Sequence, residues 1–188
     1  MARIALDIDS TLHHYWDLFE DLAMERFGVT LPYAGQRTWG TDALDAEKLR
    51  ALVMETHEEE NVLAAEPYPH AVETVRGWHA AGHWIHVTSH RADAARMATE
   101  AWLAKIGMPY DDLHCSYDKI TRCVELGIHV LVDDSPINLV RARDAGIVGA
   151  TIVHPWNEQL VDQDGVVGGR DWIALREHLD PILERIGA

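Results

Sequence analysis

The sequence predicts an α/β fold, a doubly wound parallel sheet carrying a small inserted helical cap. Three observations carry that expectation. Short apolar runs alternate with stretches of helical periodicity, the pattern of strand–helix–strand units with right-handed crossovers. Several of those runs end in acidic or hydroxyl residues. Between Leu12 and about Glu66 there are helical patterns and loops but no strand pattern. That interval of roughly fifty residues is too long for an ordinary strand-to-helix connection.

Taken in order, Arg3 to Ile8 reads as a short buried strand that ends among carboxylates. From Tyr15 to Phe27 the apolar residues Trp16, Phe19, Leu22, Ala23 and Phe27 recur at helical spacing, and Gly28 is a natural stop. Val29 to Gly40 is a loop, followed by a helix expected from Asp42 to about Glu55 with Thr41 as its cap. Pro67 and Pro69 precede an amphipathic helix ending near Gly82. Trp84 to Thr88 is a strand, Ala92 to Ile106 a helix closed by Gly107, and Leu113 to Ser116 a short strand. Ile128 to Val132 is strongly apolar; Ser135 and Pro136 then supply a cap and first turn for a helix reaching Ala145. Val148 to Val153 is expected as the last strand and Asp171 to Ile186 as the closing helix. The core domain is therefore assigned to residues 1–12 and 67–188, and the cap to residues 13–66.

Composition narrows the function. Apolar residues make up 47% of the 188, enough for a substantial core. A mean hydropathy of -0.16 and the lack of a long apolar run speak against a membrane span, and the short N-terminal apolar run, broken by Asp7, points to a cytoplasmic protein. The formal net charge of -15 disfavours a nucleic-acid polymer as partner but not a small phosphate ester. Cys115 and Cys123 form neither a disulfide framework nor a zinc motif, and read as packing residues. Nothing in the sequence specifies an oligomeric state.

In open parallel sheets, ligands bind at the carboxyl ends of strands, near the point where strand order reverses. The residues expected there are Asp7-Ile-Asp-Ser-Thr11, Thr88-Ser-His-Arg91 and Asp133-Asp-Ser-Pro136, with Lys119 ahead of the last group. Each has a bland reading. An Asp at a strand end is commonly a turn or cap residue, and a lone Lys is commonly a solvated one. Ser89, His90 and Arg91 could simply begin a helix. The four signals in order weigh against coincidence.

This ordered set resembles the haloacid dehalogenase superfamily, whose DxDxT, strand-terminal Thr or Ser, Lys and paired-Asp motifs read here as DIDST, VTSHR, Lys119 and LVDDSP. A finer likeness is to the 5′(3′)-deoxyribonucleotidase family, through the small helical cap, Pro69-His-Ala-Val-Glu73, the Thr-Ser strand end and Pro155-Trp-Asn157. The resemblance implies a phosphomonoesterase with Asp7 as nucleophile and Asp9 as general acid and base. It implies Mg²⁺ as cofactor, held by Asp7, Asp133, Asp134 and the Asp9 carbonyl. Asp134 either joins that shell or orients Lys119. Thr88, Ser89 and Lys119 are then the phosphate-binding residues.

The implied substrate is a small phosphate ester, with a nucleoside monophosphate as the specific expectation and Trp16 and Trp39 of the cap as candidate contacts to it. Another phosphorylated metabolite or a phosphoprotein is the alternative. From a different class, a receiver-like phosphoacceptor places its Asp on a middle strand and lacks the long insertion. A silent binding protein would not need Asp7, Asp9 and Asp133 intact. His57-Glu-Glu-Glu60 lacks the second His of a zinc helix and reads as a solvated charge run.

Overall fold

The first apolar run folds as β1 (Arg3–Leu6) and lies in the middle of a six-stranded sheet. The computed structural model describes residues 1–38, 41–116, 118–161 and 165–187. The other strands are β2 (Trp84–Ser89), β3 (Asp112–Cys115), β4 (Val130–Val132), β5 (Val148–Ile152) and β6 (Val166–Gly169). Their order is β3-β2-β1-β4-β5-β6, and every pairing is parallel. Strand order reverses between β1 and β4, so the crevice beyond Leu6 and Val132 is where a ligand is expected.

The sheet is covered on both faces, as parallel sheets require. Ile4, Leu6, Ile85, Val87, Val130 and Val132 point into a cluster with Trp78 of α4 (Ala71–Ala80), Trp102 of α5 (Arg96–Ile106) and Leu175 of α8 (Trp172–Gly187). Ala5 and Leu131 point the other way, against Cys123 of α6 (Lys119–Glu125) and Ala142 of α7 (Pro136–Asp144). This alternation is the period-two geometry of strands. No helix among the described residues is long and apolar enough to cross a membrane.

Residues 13–66 leave and re-enter at one point. His13 bridges to Pro67, and the Tyr68 amide donates to the Leu12 carbonyl at 2.8 Å. Between them lie α1 (Tyr15–Phe27), α2 (Ala46–Thr56) and α3 (Glu59–Ala64). Tyr15, Trp16, Phe19, Leu31 and Leu52 form a cluster of their own that also takes in Trp156. The α1 helix ends at Gly28, whose left-handed φ of 64° lets its N–H bond back to the last turn.

Three expectations about elements need correction. The α2 helix starts at Ala46 with Asp45 as its cap, accepting from the Lys48 amide at 2.9 Å. Thr41 instead accepts from the Ala43 amide, closing a turn ahead of it. Glu58, Glu59 and Glu60 are exposed, as a solvated charge run should be, and lead into α3, a short helix anchored by buried Val62. Lys119 opens α6, a helix not expected, where the Asp118 carboxylate accepts from the Thr121 amide. Val148 to Val153 is not the last strand: β6 follows, and its Val-Val-Gly-Gly sequence lacks a strand signal. A Cβ on Gly169 would lie 2.3 Å from the Leu175 amide nitrogen, so glycine there permits α8 to cross the strand.

Candidate active site

The end of β1 brings two carboxylates to the crevice in opposite surroundings. Asp7 is one residue past the Leu6–Val87 and Leu6–Val132 pairs, and its amide donates to the Val132 carbonyl at 2.8 Å. Beyond it the chain turns sharply. Thr11 and Leu12 amides both donate to the Ile8 carbonyl, with Ser10 at a left-handed φ of 60°. The Asp7, Asp133 and Asp134 carboxylates are buried, with oxygens all within 4.8 Å of one another. Lys119, 2% exposed, donates to Asp7 and, at 3.0 Å, to Asp133.

The pair after β4 is held from outside. The Asp133 carboxylate accepts from the Ser135 amide at 2.9 Å and from the Asn138 side chain at 3.1 Å. The Asp134 carboxylate accepts from the Trp156 indole N–H at 3.1 Å, and Asn157 donates to the Asp134 carbonyl at 3.0 Å. Sequence reasoning noticed Pro155-Trp-Asn157 only as a likeness; physically, Trp156 and Asn157 fix Asp134. Asp134 belongs to the carboxylate cluster and makes its side-chain hydrogen bond to Trp156.

Charge explains the titration of this group. Burial pushes the Asp7 carboxyl up to about 7, and Lys119 only partly opposes it because Asp133 adds repulsion. Burial, then Asp7 and Asp133, hold the Asp134 carboxyl well above the usual range. Burial would lower the Lys119 ammonium, but Asp133 and Asp7 more than compensate, so it stays protonated. Three carboxylates against one ammonium, with hard oxygen donors converging, fit a divalent cation of the Mg²⁺ type.

Asp9 has different partners. Its carboxylate takes two bonds from Arg91, Nη2 at 2.7 Å and Nε at 3.2 Å. His13 Nε2 lies 3.0 Å from it and His57 Nε2 3.5 Å. Burial alone would raise its pKa, but the Arg91 guanidinium and the two imidazoles hold it well below the usual carboxylate range. Its side chain is not one of the clustered carboxylates, so its expected share in a metal site would be through its carbonyl. Arg91 is 2% exposed and also donates to Thr99 Oγ1 at 3.2 Å. In the sequence Arg91 is open between a site residue and a helix start, His57 reads as part of a solvated charge run, and His13 carries no signal. The one available signal was an Arg two residues past a strand end.

Thr88 and Ser89 end β2 and are fully buried. Among the described residues the Thr88 hydroxyl has no hydrogen-bond partner, while Ser89 Oγ accepts from the Arg91 amide at 3.2 Å. The Ser10 hydroxyl, likewise buried, also has no partner among them. The expectation for Trp16 is overturned. It is 1% exposed, donates its indole N–H to the Leu31 carbonyl at 2.8 Å and packs on Phe19 and Trp156. It is helix core because its helical spacing faces α1 inward. Trp39 lies outside the described residues.

Above these groups is a cavity of about 730 Å³, with Asp7, Asp9, Lys119, Asp133 and Asp134 in its lining and α2 along one wall. No family model and no curated protein matches the sequence. The structure, however, is similar to several solved ones. A HAD hydrolase of family IA, variant 3, from Entamoeba histolytica superposes with TM-score 0.67 at 12% identity, over 97% of this chain and 100% of that one. A predicted phosphoglycolate phosphatase from Haemophilus somnus gives 0.61 at 14%, covering 99% and 98%. The D,D-heptose 1,7-bisphosphate phosphatase of B. bronchiseptica, solved with magnesium and phosphate, gives 0.57 at 14%, covering 98% and 99%. At such identities the likeness establishes the fold, which is that of the haloacid dehalogenase-type hydrolases.

Proposed function

We propose that this chain is a magnesium-dependent phosphomonoesterase that works through an aspartyl-phosphate on Asp7, with residues 13–66 as a cap over the site. The observation that carries the reading is the buried cluster of Asp7, Asp133 and Asp134 with Lys119 between two of its members. The names of the structural relatives, phosphatases of small phosphorylated compounds, support it.

Asp7, Asp133 and Asp134 would hold Mg²⁺, with the Asp9 carbonyl as a further ligand. Bound there, the ion would neutralise phosphate charge and keep Asp7 ionised. The Asp7 carboxylate attacks phosphorus, and the alkoxide departs as its bond to phosphorus breaks. Asp9 relays to that oxygen the proton that a monoanionic phosphate ester brings into the site, and in the second half takes one from the water that attacks the phosphorylated Asp7. The Arg91 pairing leaves Asp9 ionised, the state required for the second half. The Thr88 hydroxyl, the Ser89 amide and the Lys119 ammonium receive phosphate oxygens, with Lys119 offsetting the charge that develops as phosphoryl transfers.

The substrate is a small-molecule phosphate ester. The finer reading, a nucleoside monophosphate and a deoxyribonucleotidase-like activity, rests on the sequence likeness alone. Both are tested by a phosphate-release screen on the purified protein. Small monoesters should be hydrolysed, chelator should abolish the activity and Mg²⁺ restore it; full activity in excess chelator would overturn the metal assignment. If a base is recognised, deoxynucleotides should exceed deoxyribose 5-phosphate in kcat/KM by about tenfold, within the range base stacking supplies. Equal rates on the two would remove the nucleotidase reading.

A further inference from the structure

The helix α2 has two working faces. On one, Leu52 is fully buried against the α1 cluster, and Thr56 accepts or donates at 2.7 Å to the Tyr15 hydroxyl. On the other, Ala46, Leu49, Val53 and Met54 line the cavity over Asp7 beside Arg50 and His57, with Leu49 and Val53 also packed against the α1 cluster. Their spacing of three, seven and eight residues from Ala46 puts them in one stripe along the helix. Ala92 and Ile137 of the core domain line the same cavity.

Two of these side chains are conspicuous. Met54 is 63% exposed and Ile137 64%, both among the large apolar residues left open to solvent. Arg50, His57, His90 and Ser135 also line the cavity, but beneath the apolar side chains Lys119 and Asn138 are already committed. Lys119 is shared by Asp7 and Asp133, and the Asn138 amide is spent on Asp133. A hydroxyl-rich alcohol entering this space would give up water and find few replacement bonds, whereas an apolar one would cover Met54 and Ile137.

We infer that the leaving alcohol of the substrate presents an apolar body to α2, so the substrate class is the phosphate monoester of an apolar alcohol rather than of a polyol. This rests on the phosphomonoesterase reading above and adds to it the occupant of the space above the carboxylates. The phosphate lies at the Asp7 end, and the apolar body runs along Leu49 and Val53 toward Met54 and Ile137.

The test is the dependence of kcat/KM on chain length for n-alkyl phosphates, measured in magnesium buffer from ethyl through butyl to hexyl. Leaving-group basicity is nearly constant along this series, so the slope reports contact with the alcohol. Each methylene that becomes buried should raise kcat/KM by up to about fourfold, and hexyl phosphate should exceed both ethyl phosphate and glycerol phosphate by at least about tenfold. Met54→Gln and Ile137→Asn should each flatten the slope, and because both positions are exposed neither should compromise folding. A flat or falling slope with measurable turnover would overturn the inference alone. So would a steep slope that neither variant alters, because the apolar contact would then lie elsewhere. No turnover of any member, activated aryl phosphates included, would overturn the phosphomonoesterase reading and this inference with it.

Discussion

Asp7 and Asp9 are two residues apart on one strand end, yet they occupy opposite electrostatic regions. Around Asp7 there are two more carboxylates and one lysine; around Asp9 there are a guanidinium and two imidazoles. Burial and neighbouring carboxylates push the first carboxyl up, while Arg91 and the imidazoles hold the second down. One turn thus separates two environments: one side has surplus negative charge, and the other has positive charge that keeps a carboxylate ionised.

The largest expected effect comes from separating these two regions by mutation. Asp7→Asn should cost about 10⁴-fold or more on every phosphomonoester, because a carboxamide cannot attack phosphorus. Asp9→Asn should cost about 10²- to 10⁴-fold on alkyl phosphates but much less on nitrophenyl phosphate, whose leaving group needs no proton. Steady-state kinetics on the two ester types checks this. An equal loss on both types in Asp9→Asn would remove the proton-transfer role.

Next in size is the contribution of Arg91. Arg91→Met should destabilise the fold by about 3–5 kcal/mol, since it leaves the Asp9 carboxylate in a buried setting with only imidazoles as partners. Urea unfolding of the two proteins measures it. A loss under about 1 kcal/mol would show that Asp9 is solvated in the folded protein and that the contrast with Asp7 is overdrawn.

How far these regions were legible in the sequence follows from the kind of signal each one leaves. Strands β1, β2, β4 and β5 announce themselves through apolar runs broken by Asp, Thr or Ser, and the motif residues Asp7, Thr88, Lys119 and Asp133 meet where the topology requires. Arg91 stands in the Thr88–Arg91 strand end, but its pairing with Asp9, like that of His13 and His57, left no trace, because the three come from separate segments and converge only after the chain folds. Trp156 is a similar case: its value lies in an indole N–H aimed at Asp134, which no spacing encodes. Trp16 misled through its residue type, since an aromatic in a cap can serve substrate or core equally well, and here α1 buries it. Helix α6 and strand β6 were missed because each is short and is stabilised by tertiary neighbours more than by local propensity.

The smallest effect lies away from the site and sharpens the contrast between buried charges that have partners and those that do not. His86 is fully buried on β2 beside Asp112 and stacked on Trp84. Burial lowers its pKa to about 4, with Asp112 opposing. An unfolded imidazole titrates near 6.5, so the unfolded chain binds the proton first as pH falls. Stability from this group is complete above about pH 6.5 and is lost progressively down to about 4, by at most about 1.4 kcal/mol per pH unit. Thermal melts between pH 7 and 5 should therefore be less pH-sensitive in His86→Phe, which keeps the stacking on Trp84. An unchanged pH dependence would mean that His86 titrates in the folded protein as it does in the unfolded chain.

The central claim is that Asp7 becomes covalently phosphorylated. Acid quenching during the first turnover, followed by borohydride reduction and peptide mass spectrometry, converts an acyl phosphate to the corresponding alcohol and locates it. Reduction is expected at Asp7, dependent on both substrate and Mg²⁺ and absent in Asp7→Asn. Rapid hydrolysis with no reducible group at Asp7 at any quench time, or reduction at Asp9 or Asp133 instead, would contradict it.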